Sequence, residues 1–160
     1  MKAARVAGTL VAWLLLSAQT GDSGFSDTLD EAFGTDTLVI SADEYACWFF
    51  DIYVASDRAQ QMRGLMHVRH LPEFTGMIFI YRQAGVRSMW MKNTYIPLDM
   101  VFIRGDGTVS SVIAETTPLS LESKSAIEPV NYVLELNAGV TARLRIGEAS
   151  RIVFTNLDPE

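Results

Sequence analysis

Apolar residues along this chain occur in short runs and alternating stretches, which glycine, proline and small polar residues separate. Short segments of this kind, rich in β-branched and aromatic side chains, are typical of β-strands. The sequence Gly-Asp-Gly at 105–107 is a strong hairpin signal, because both glycines tolerate positive φ. The pattern predicts strands at 38–40, 47–54, 77–81, 86–92, 98–104, 108–115, 132–136 and 151–155.

Two short helices are expected among these strands. Ser56 can cap a helix over 57–63, and Gly64 stands at its stop position. A second helix is expected between Asn137 and Leu144. About eight short strands with two short helices predict a mainly β fold, a single small β-sandwich or barrel over residues 37–157.

The predicted strand at 98–103 contains an acidic residue where a core strand is expected. Its two faces are both apolar apart from Asp99, which shares one face with Val101 and Ile103. A strand that is apolar on both faces is covered on both faces. We therefore expect Asp99 to be buried.

Lys92 and Asn93 lie in the same apolar stretch, and Lys92 shares a face of its predicted strand with Trp90. A buried cation and a buried anion are costly unless they are paired and hydrogen-bonded. The sequence therefore predicts that Lys92 and Asp99 pair across the turn at 94–97, with Asn93 filling the remaining hydrogen bonds. Two interpretations stay open: the pair has a structural role and stabilises that turn, or it lines a ligand site.

The first 36 residues are expected to lie outside the domain. Residues 1–20 have the pattern of a signal peptide, with a basic start and an apolar run that is short for a membrane span. An uncleaved membrane anchor is the alternative. Residues 21–36, which are acidic and lack basic residues, are expected to be a flexible leader. The sequence thus predicts export, to the periplasm if the source is a Gram-negative bacterium.

The net charge and the cysteine content bear on which ligands and which covalent cross-links are expected. Without Lys2 and Arg5 the chain has 11 basic and 19 acidic residues, a net charge of −8, which disfavours nucleic-acid binding. Cys47 is the only cysteine, so no internal disulfide is expected. Its neighbours include Trp48 and Phe49, and it is expected to be a buried thiol that acts as a small hydrophobe, a reactive or metal-binding thiol being the alternative.

A family resemblance rests on ordered blocks across 39–154. These blocks are Arg63-Gly64-Leu65-Met66, Leu71-Pro72, Gly76-Met77-Ile78-Phe79, Trp90-Met91-Lys92-Asn93-Thr94, Ile96-Pro97-Leu98-Asp99 and Tyr132-Val133-Leu134-Glu135-Leu136 with Ala138-Gly139. They resemble the uncharacterised bacterial and archaeal family known as domain of unknown function 192. The resemblance implies a jelly-roll-like β-sandwich and export or membrane tethering, and it implies no activity.

The first functional hypothesis is a non-catalytic binding or accessory module, whose partner is a small polar ligand or an envelope protein. Lys92, Asn93 and Asp99, with Trp90 and Arg63, would line a cleft for a ligand such as a sugar or a carboxylate. Lys92 would supply a positive charge, and the ring of Trp90 would supply a surface for stacking. The planar guanidinium of Arg63 would donate several hydrogen bonds. Arg63 precedes a helix end, where a solvated or capping role is the more common one.

Two other hypotheses remain. An enzyme could use the Lys92–Asp99 pair for acid–base work on a glycan or peptide, but no second carboxylate at glycosidase spacing and no Ser–His or Cys–His grouping accompanies the pair. A periplasmic Cu(I)-handling protein could use Met89 and Met91 with His67 or His70, since soft thioethers suit Cu(I). Methionine as a filler of core gaps is the competing interpretation, and neither a metal nor a cofactor is expected.

Overall fold

The computed structural model describes residues 29–42 and 46–155 of the 160-residue chain. The predicted signal peptide, most of the predicted leader and the last five residues lie outside the described residues. Within the described residues, nine strands and two short helices follow one another: β1 (Gly34–Ser41), β2 (Cys47–Ala55), α1 (Arg58–Arg63), β3 (Thr75–Gly85), β4 (Ser88–Met89), β5 (Leu98–Ile103), β6 (Val109–Ile113), β7 (Lys124–Ser125), β8 (Val130–Asn137), α2 (Val140–Leu144) and β9 (Arg151–Phe154).

Seven of the strands form one curled sheet, a half-barrel, in the order β6-β5-β8-β3-β2-β1-β9. β2 and β3 are parallel, and the other neighbours in this sheet are antiparallel. β4 and β7 pair separately. The prediction of a mainly β fold is confirmed. In the described residues no helix has the length and apolar character needed to cross a membrane.

The curl brings the two edge strands together at one end. Thr108 bridges Arg151, the Ile152 amide donates to the Gly107 carbonyl (2.8 Å), and the Val109 amide donates to the Ser150 carbonyl (3.1 Å). Gly107 has a φ of +84°, and a Cβ there would lie 2.4 Å from the Ile152 carbonyl oxygen. The hairpin glycine that the sequence indicates is therefore also needed for the edges to meet.

Hydrophobic cores cover both faces of the sheet. One core contains Leu38, Val101 and Leu134 together with α2 residues. The other is built on Met77, Met100 and Val133, beneath the segment that follows α1. All six residues of β5 are buried, which confirms the expectation that both of its faces are covered.

Both helices begin later than predicted. Asp57 rather than Ser56 is the N-cap of α1, because its side chain accepts from the Gln60 amide (2.8 Å) while the Gln60 side chain accepts from the Asp57 amide in a capping box. Gly64 ends α1 with a φ of +46°, as its position predicts. α2 begins only at Val140.

The N-terminal boundary of the domain was predicted too late. Leu29 and Phe33, inside the expected leader, are 3% and 4% exposed and belong to the second core, and β1 already begins at Gly34. Leu29 and Phe33 are apolar residues spaced four apart, so a single helical turn can present both to the core. The described part of the acidic segment is therefore packed onto the domain.

Two other local predictions were wrong. The strand expected at 86–92 is reduced to the two residues of β4, and the chain then turns at Lys92 and Asn93. Cys47 is exposed and not buried. It begins β2 on the same face as Phe49, which is 66% exposed, while Phe50 and Ile52 point to the core.

Candidate functional site

Asp99 is fully buried, as expected, but its partner is not Lys92. Its Oδ1 accepts from the amides of Glu115 (2.8 Å) and Gly139 (3.1 Å), and its Oδ2 accepts from the Thr141 amide (2.9 Å) and hydroxyl (2.7 Å). These four donors meet the usual acceptor capacity of a carboxylate. The predicted Lys92–Asp99 pair is therefore wrong.

The connection between β8 and α2 explains this arrangement. Asp99 stands opposite Leu136 in the β5–β8 ladder, and α2 begins four residues after Leu136. The first amides of α2 have no partners within the helix, so the Asp99 carboxylate takes the place of an N-cap side chain. Gly139, the N-cap residue of α2, has no side chain that could cap the helix. Asp99 is a structural residue that fastens α2 and the Glu115 backbone to β5.

Lys92 and Asn93 instead form an exposed turn beside Trp90. The Thr94 amide donates to the Met91 carbonyl (3.1 Å), and Asn93 has a φ of +55°, a value that asparagine tolerates better than most residues. The Lys92 Nζ lies 5.2 Å from the centre of the Trp90 ring. Trp90 is 50% exposed, so its ring is open to a ligand. The structure thus brings Trp90, Lys92 and Asn93 together and separates them from Asp99.

These three residues line an open groove of about 490 Å³. The other residues of its wall come from α1, the turn after it and β4: Arg58, Gln61, Met62, Met66 and Ser88. The Asn93 Nδ2 lies 3.8 Å from the Met66 sulfur, which joins the two walls. The groove therefore combines two cations, two side-chain amides and an aromatic face.

Arg63 lies next to this groove and not in its wall. Its guanidinium lies 5.3 Å from the centre of the Phe33 ring, at the end of α1. It lines a smaller pocket of about 90 Å³ that shares several wall residues with the groove. The shared residues are Gln61, Met62, Met66, Ser88, Trp90 and Lys92. The groove and the small pocket, which we call the Glu135 pocket, are thus parts of one site.

Glu135 gives the small pocket its chemistry. It is 4% exposed, and its direct neighbours across the sheet are Met77 on β3 and Met100 on β5, both fully buried. Its carboxyl group makes no hydrogen bond to any residue that the structure describes. Burial raises the pKa of Glu135 from 4.5 to about 8. Glu135 is therefore largely protonated at neutral pH, and it can donate a hydrogen bond.

Tyr81 adds a second titratable group to the Glu135 pocket. Burial raises its pKa, the Arg87 guanidinium over its ring (4.0 Å) lowers it, and the Glu135 charge raises it. Its hydroxyl lies 3.9 Å from the Met89 sulfur. The polar groups of this pocket are therefore set among thioethers and aromatic rings.

Sequence reasoning missed Glu135 as a site residue, although its signal resembled that of Asp99. Glu135 stands in β8 between Leu134 and Leu136, in a strand with apolar residues on both faces. A single acid in such a strand is buried, whatever the face. The two acids differ because they lie on opposite faces of the sheet. β8 directs Glu135 toward α1, and β5 directs Asp99 toward α2.

The methionines are not arranged as the copper-site hypothesis requires. Met91 is buried after β4, where its sulfur accepts from the Thr116 hydroxyl (3.2 Å), so it does not share an accessible face with Met89. Met62, Met66 and Met89 do line the Glu135 pocket. His67 contacts Tyr95, with 3.4 Å between Nδ1 and the phenol oxygen. Among the described residues, no three His, Cys, Asp or Glu side chains are grouped for a metal ion.

Two solved structures resemble the chain in fold and sequence. One is the crystal structure of a putative transcription regulator (R01717) from Sinorhizobium meliloti 1021, with 34% identity, a TM-score of 0.76, and coverage of 78% of this chain and 97% of that one. The other is a protein of unknown function from Novosphingobium aromaticivorans DSM 12444, with 31% identity, a TM-score of 0.70, and coverage of 73% and 83%. No curated protein matches the sequence.

The family model described as DUF192, uncharacterized ACR, matches residues 39–154. These residues include every strand from β2 to β9, both helices and all the residues that line the groove and the Glu135 pocket. The chain belongs to the DUF192 family.

Proposed function

We propose that this protein is an exported, non-catalytic binding module that holds a small polar ligand, a sugar or a carboxylate, in the groove beside Trp90. The observation that carries the proposal is a half-exposed tryptophan on the wall of a groove of about 490 Å³, with Lys92 and Asn93 beside it. An aromatic face gives contact area at a low entropic cost, and the polar groups around it fix the orientation of a ligand.

Charge favours an anionic or hydroxylated ligand over a cationic one. The whole chain has a net charge of −6, yet the charged residues that line the groove are Arg58 and Lys92, both basic. The groove is thus positive on an acidic protein, which attracts negative groups and repels cations. Asp99 takes no part, because its carboxylate is buried and its four hydrogen bonds hold the fold.

Export is part of the proposal and rests on the signal-peptide pattern of residues 1–20. Cell fractionation of the full chain, followed by mass determination of the mature N-terminus, tests it. Recovery of the uncleaved chain in the cytoplasm would contradict export and would leave the groove proposal untouched.

Calorimetric titration with D-glucose, D-glucuronate and acetate tests the ligand class. Trp90→Ala and Lys92→Met are the site variants. Phe49→Ala, which removes another exposed aromatic ring, and Arg145→Met, which removes another exposed cation, are matched controls outside the groove. We expect binding to be weakened by the site variants and unchanged by the controls. Equal binding by all four variants, or no binding of any probe by the wild-type chain, would refute the proposal.

A further inference from the structure

Glu135 is buried and lines a cavity, yet its carboxyl group lacks a partner among the described residues. The carboxyl group faces the cavity, so water or a ligand in the cavity must supply its hydrogen bonds. The Glu135 pocket has a volume of about 90 Å³, which exceeds the ~10–15 Å³ that one water molecule needs. It has room for a small group of a ligand that lies in the adjoining groove.

Resting on the proposed function, we propose that the Glu135 pocket is a subsite of the groove, in which the carboxyl group of Glu135 hydrogen-bonds a hydroxyl group of a sugar. The body of the sugar stacks on Trp90, and one hydroxyl-bearing edge or arm enters the pocket. The proposal narrows the ligand class from small polar molecules to polyhydroxylated ones.

The surroundings of Glu135 disfavour charged groups in the pocket. Arg63 and Lys92 line its wall and repel a ligand ammonium group. A ligand carboxylate would place a second acid beside Glu135, between the buried side chains of Met77 and Met100, where desolvation is costly. A carboxylate that the sugar carries elsewhere would stay in the groove, near Arg58 and Lys92.

A hydroxyl group fits because it both donates and accepts. A protonated carboxyl group has one O–H donor and a carbonyl acceptor, so the two groups can exchange hydrogen bonds. Burial raises the pKa of Glu135 to about 8, which keeps the donor proton in place at neutral pH. The hydroxyl of Tyr81 is a further hydrogen-bonding group in the same pocket.

This arrangement makes binding sensitive to pH. The titratable or charged groups that face Glu135 are Tyr81 from β3, Lys92 from the turn after β4 and Arg63 from the end of α1. Its neighbours within the sheet, Met77 and Met100, do not titrate. Sugar binding should therefore weaken as the pH rises through about 8, because the ionised Glu135 can only accept hydrogen bonds and a sugar that covers it removes the water that solvates its charge.

The experiment is calorimetric titration of the full chain from about pH 6 to about pH 9, a range that spans the pKa of Glu135. The probes are D-glucose, N-acetyl-D-glucosamine and D-glucuronate, with acetate and methylammonium as probes that lack a hydroxyl group. Glu135→Met removes the hydrogen-bonding group, and Glu135→Gln keeps a donor and an acceptor but cannot ionise. For one hydrogen bond we expect Glu135→Met to bind a sugar about three- to tenfold more weakly. Glu135→Gln should bind like the wild-type chain at neutral pH and show no loss toward high pH.

The outcomes separate the subsite from the groove. If Trp90→Ala loses sugar binding while Glu135→Met keeps it, the subsite is refuted and the groove stands. If Glu135→Met loses it while Trp90→Ala does not, the subsite stands without the groove. If the wild-type chain binds acetate but none of the sugars, the subsite is refuted and the groove stands. If it binds no probe at all, both are refuted, and if it prefers methylammonium, the hydroxyl assignment is wrong. Should Glu135→Met not fold, equal pH profiles of the wild-type chain and Glu135→Gln would refute the subsite.

Discussion

Replacing Glu135 with glutamine should make the protein less sensitive to alkaline pH, although it changes a buried side chain. The pKa of Glu135 rises from an ordinary 4.5 to about 8 because the carboxyl group is buried between Met77 and Met100. An acid whose pKa is raised on folding stabilises the folded state fully below the pKa of the unfolded chain. That stability is lost as the pH rises through the pKa of the folded state. The window for Glu135 therefore runs from about pH 4.5 to about pH 8.

The expected size of the effect follows from the pKa change. At about 1.4 kcal/mol for each pH unit, a rise from 4.5 to about 8 corresponds to about 5 kcal/mol between the two ends of the window. At pH 7 the unfolded chain has ionised at this position while the folded chain has not, and about 3 kcal/mol of this amount is already lost. Glutamine removes the titration, so its free energy of unfolding should lack this component.

Urea unfolding at about pH 5, 7 and 9 measures the effect as a difference between the two proteins. Other titrating groups are common to both chains and cancel. A constant cost of burying the glutamine amide shifts all three differences equally, so only their change with pH counts. Glu148→Gln, which removes an exposed acid, controls for the change in net charge. A difference between the wild-type chain and Glu135→Gln that stays within about 1 kcal/mol across this range would show that Glu135 is not desolvated as the structure indicates.

Three further predictions concern the fold around the site. Asp99→Ala leaves the amides of Glu115, Gly139 and Thr141 without their acceptor and should cost about 3–5 kcal/mol, whereas Lys92→Met should cost less than about 0.5 kcal/mol. Urea melts of the single and double mutants should show no coupling between these two positions, and recovery of stability in the double mutant would contradict the assignment of Asp99. Phe33→Ala should lower the free energy of unfolding by about 3–5 kcal/mol in the same measurement, and Phe49→Ala, which removes an exposed ring, should lower it much less. Equal losses would mean that the segment before β1 is not packed. Gly107→Ala should be clearly more destabilising in thermal melts than Gly139→Ala, because both glycines have φ above +80° but only Gly107 meets a backbone oxygen.

The sequence predicted the sheet better than the connections between its strands. Residues in β2, β5 and β8 carry the dense apolar and β-branched pattern that defines a strand regardless of its partner. β4 and β7 consist of two residues each and pair only with each other, so no periodicity marks them. The parallel pairing of β2 with β3, across α1, likewise depends on how the whole sheet curls.

The sequence indicated only some of the residues that line the groove, because the turn at Lys92 was not recognised. Trp90, Lys92 and Asn93 were predicted to be near one another because they are neighbours in sequence, and they are. The error was to extend a strand as far as Lys92, which made an exposed lysine look buried and created a need for a counterion. Arg58 and Gln61 reach the same groove from α1, and no sequence spacing relates them to Trp90.

The two buried acids show why burial alone does not mark a functional residue. Asp99 and Glu135 lie on neighbouring strands, one position apart in the ladder, since Asp99 stands opposite Leu136 and Glu135 opposite Met100. Asp99 has four donors, and its carboxylate has no capacity left for a ligand. Glu135 has none among the described residues and lines a cavity, so the cost of burying it is not recovered within the fold. A fold under selection for stability alone would place an apolar residue there, as Met77 and Met100 already do on both sides. An acid that faces the cavity in that position is therefore better explained by what enters the pocket than by the residues that surround it.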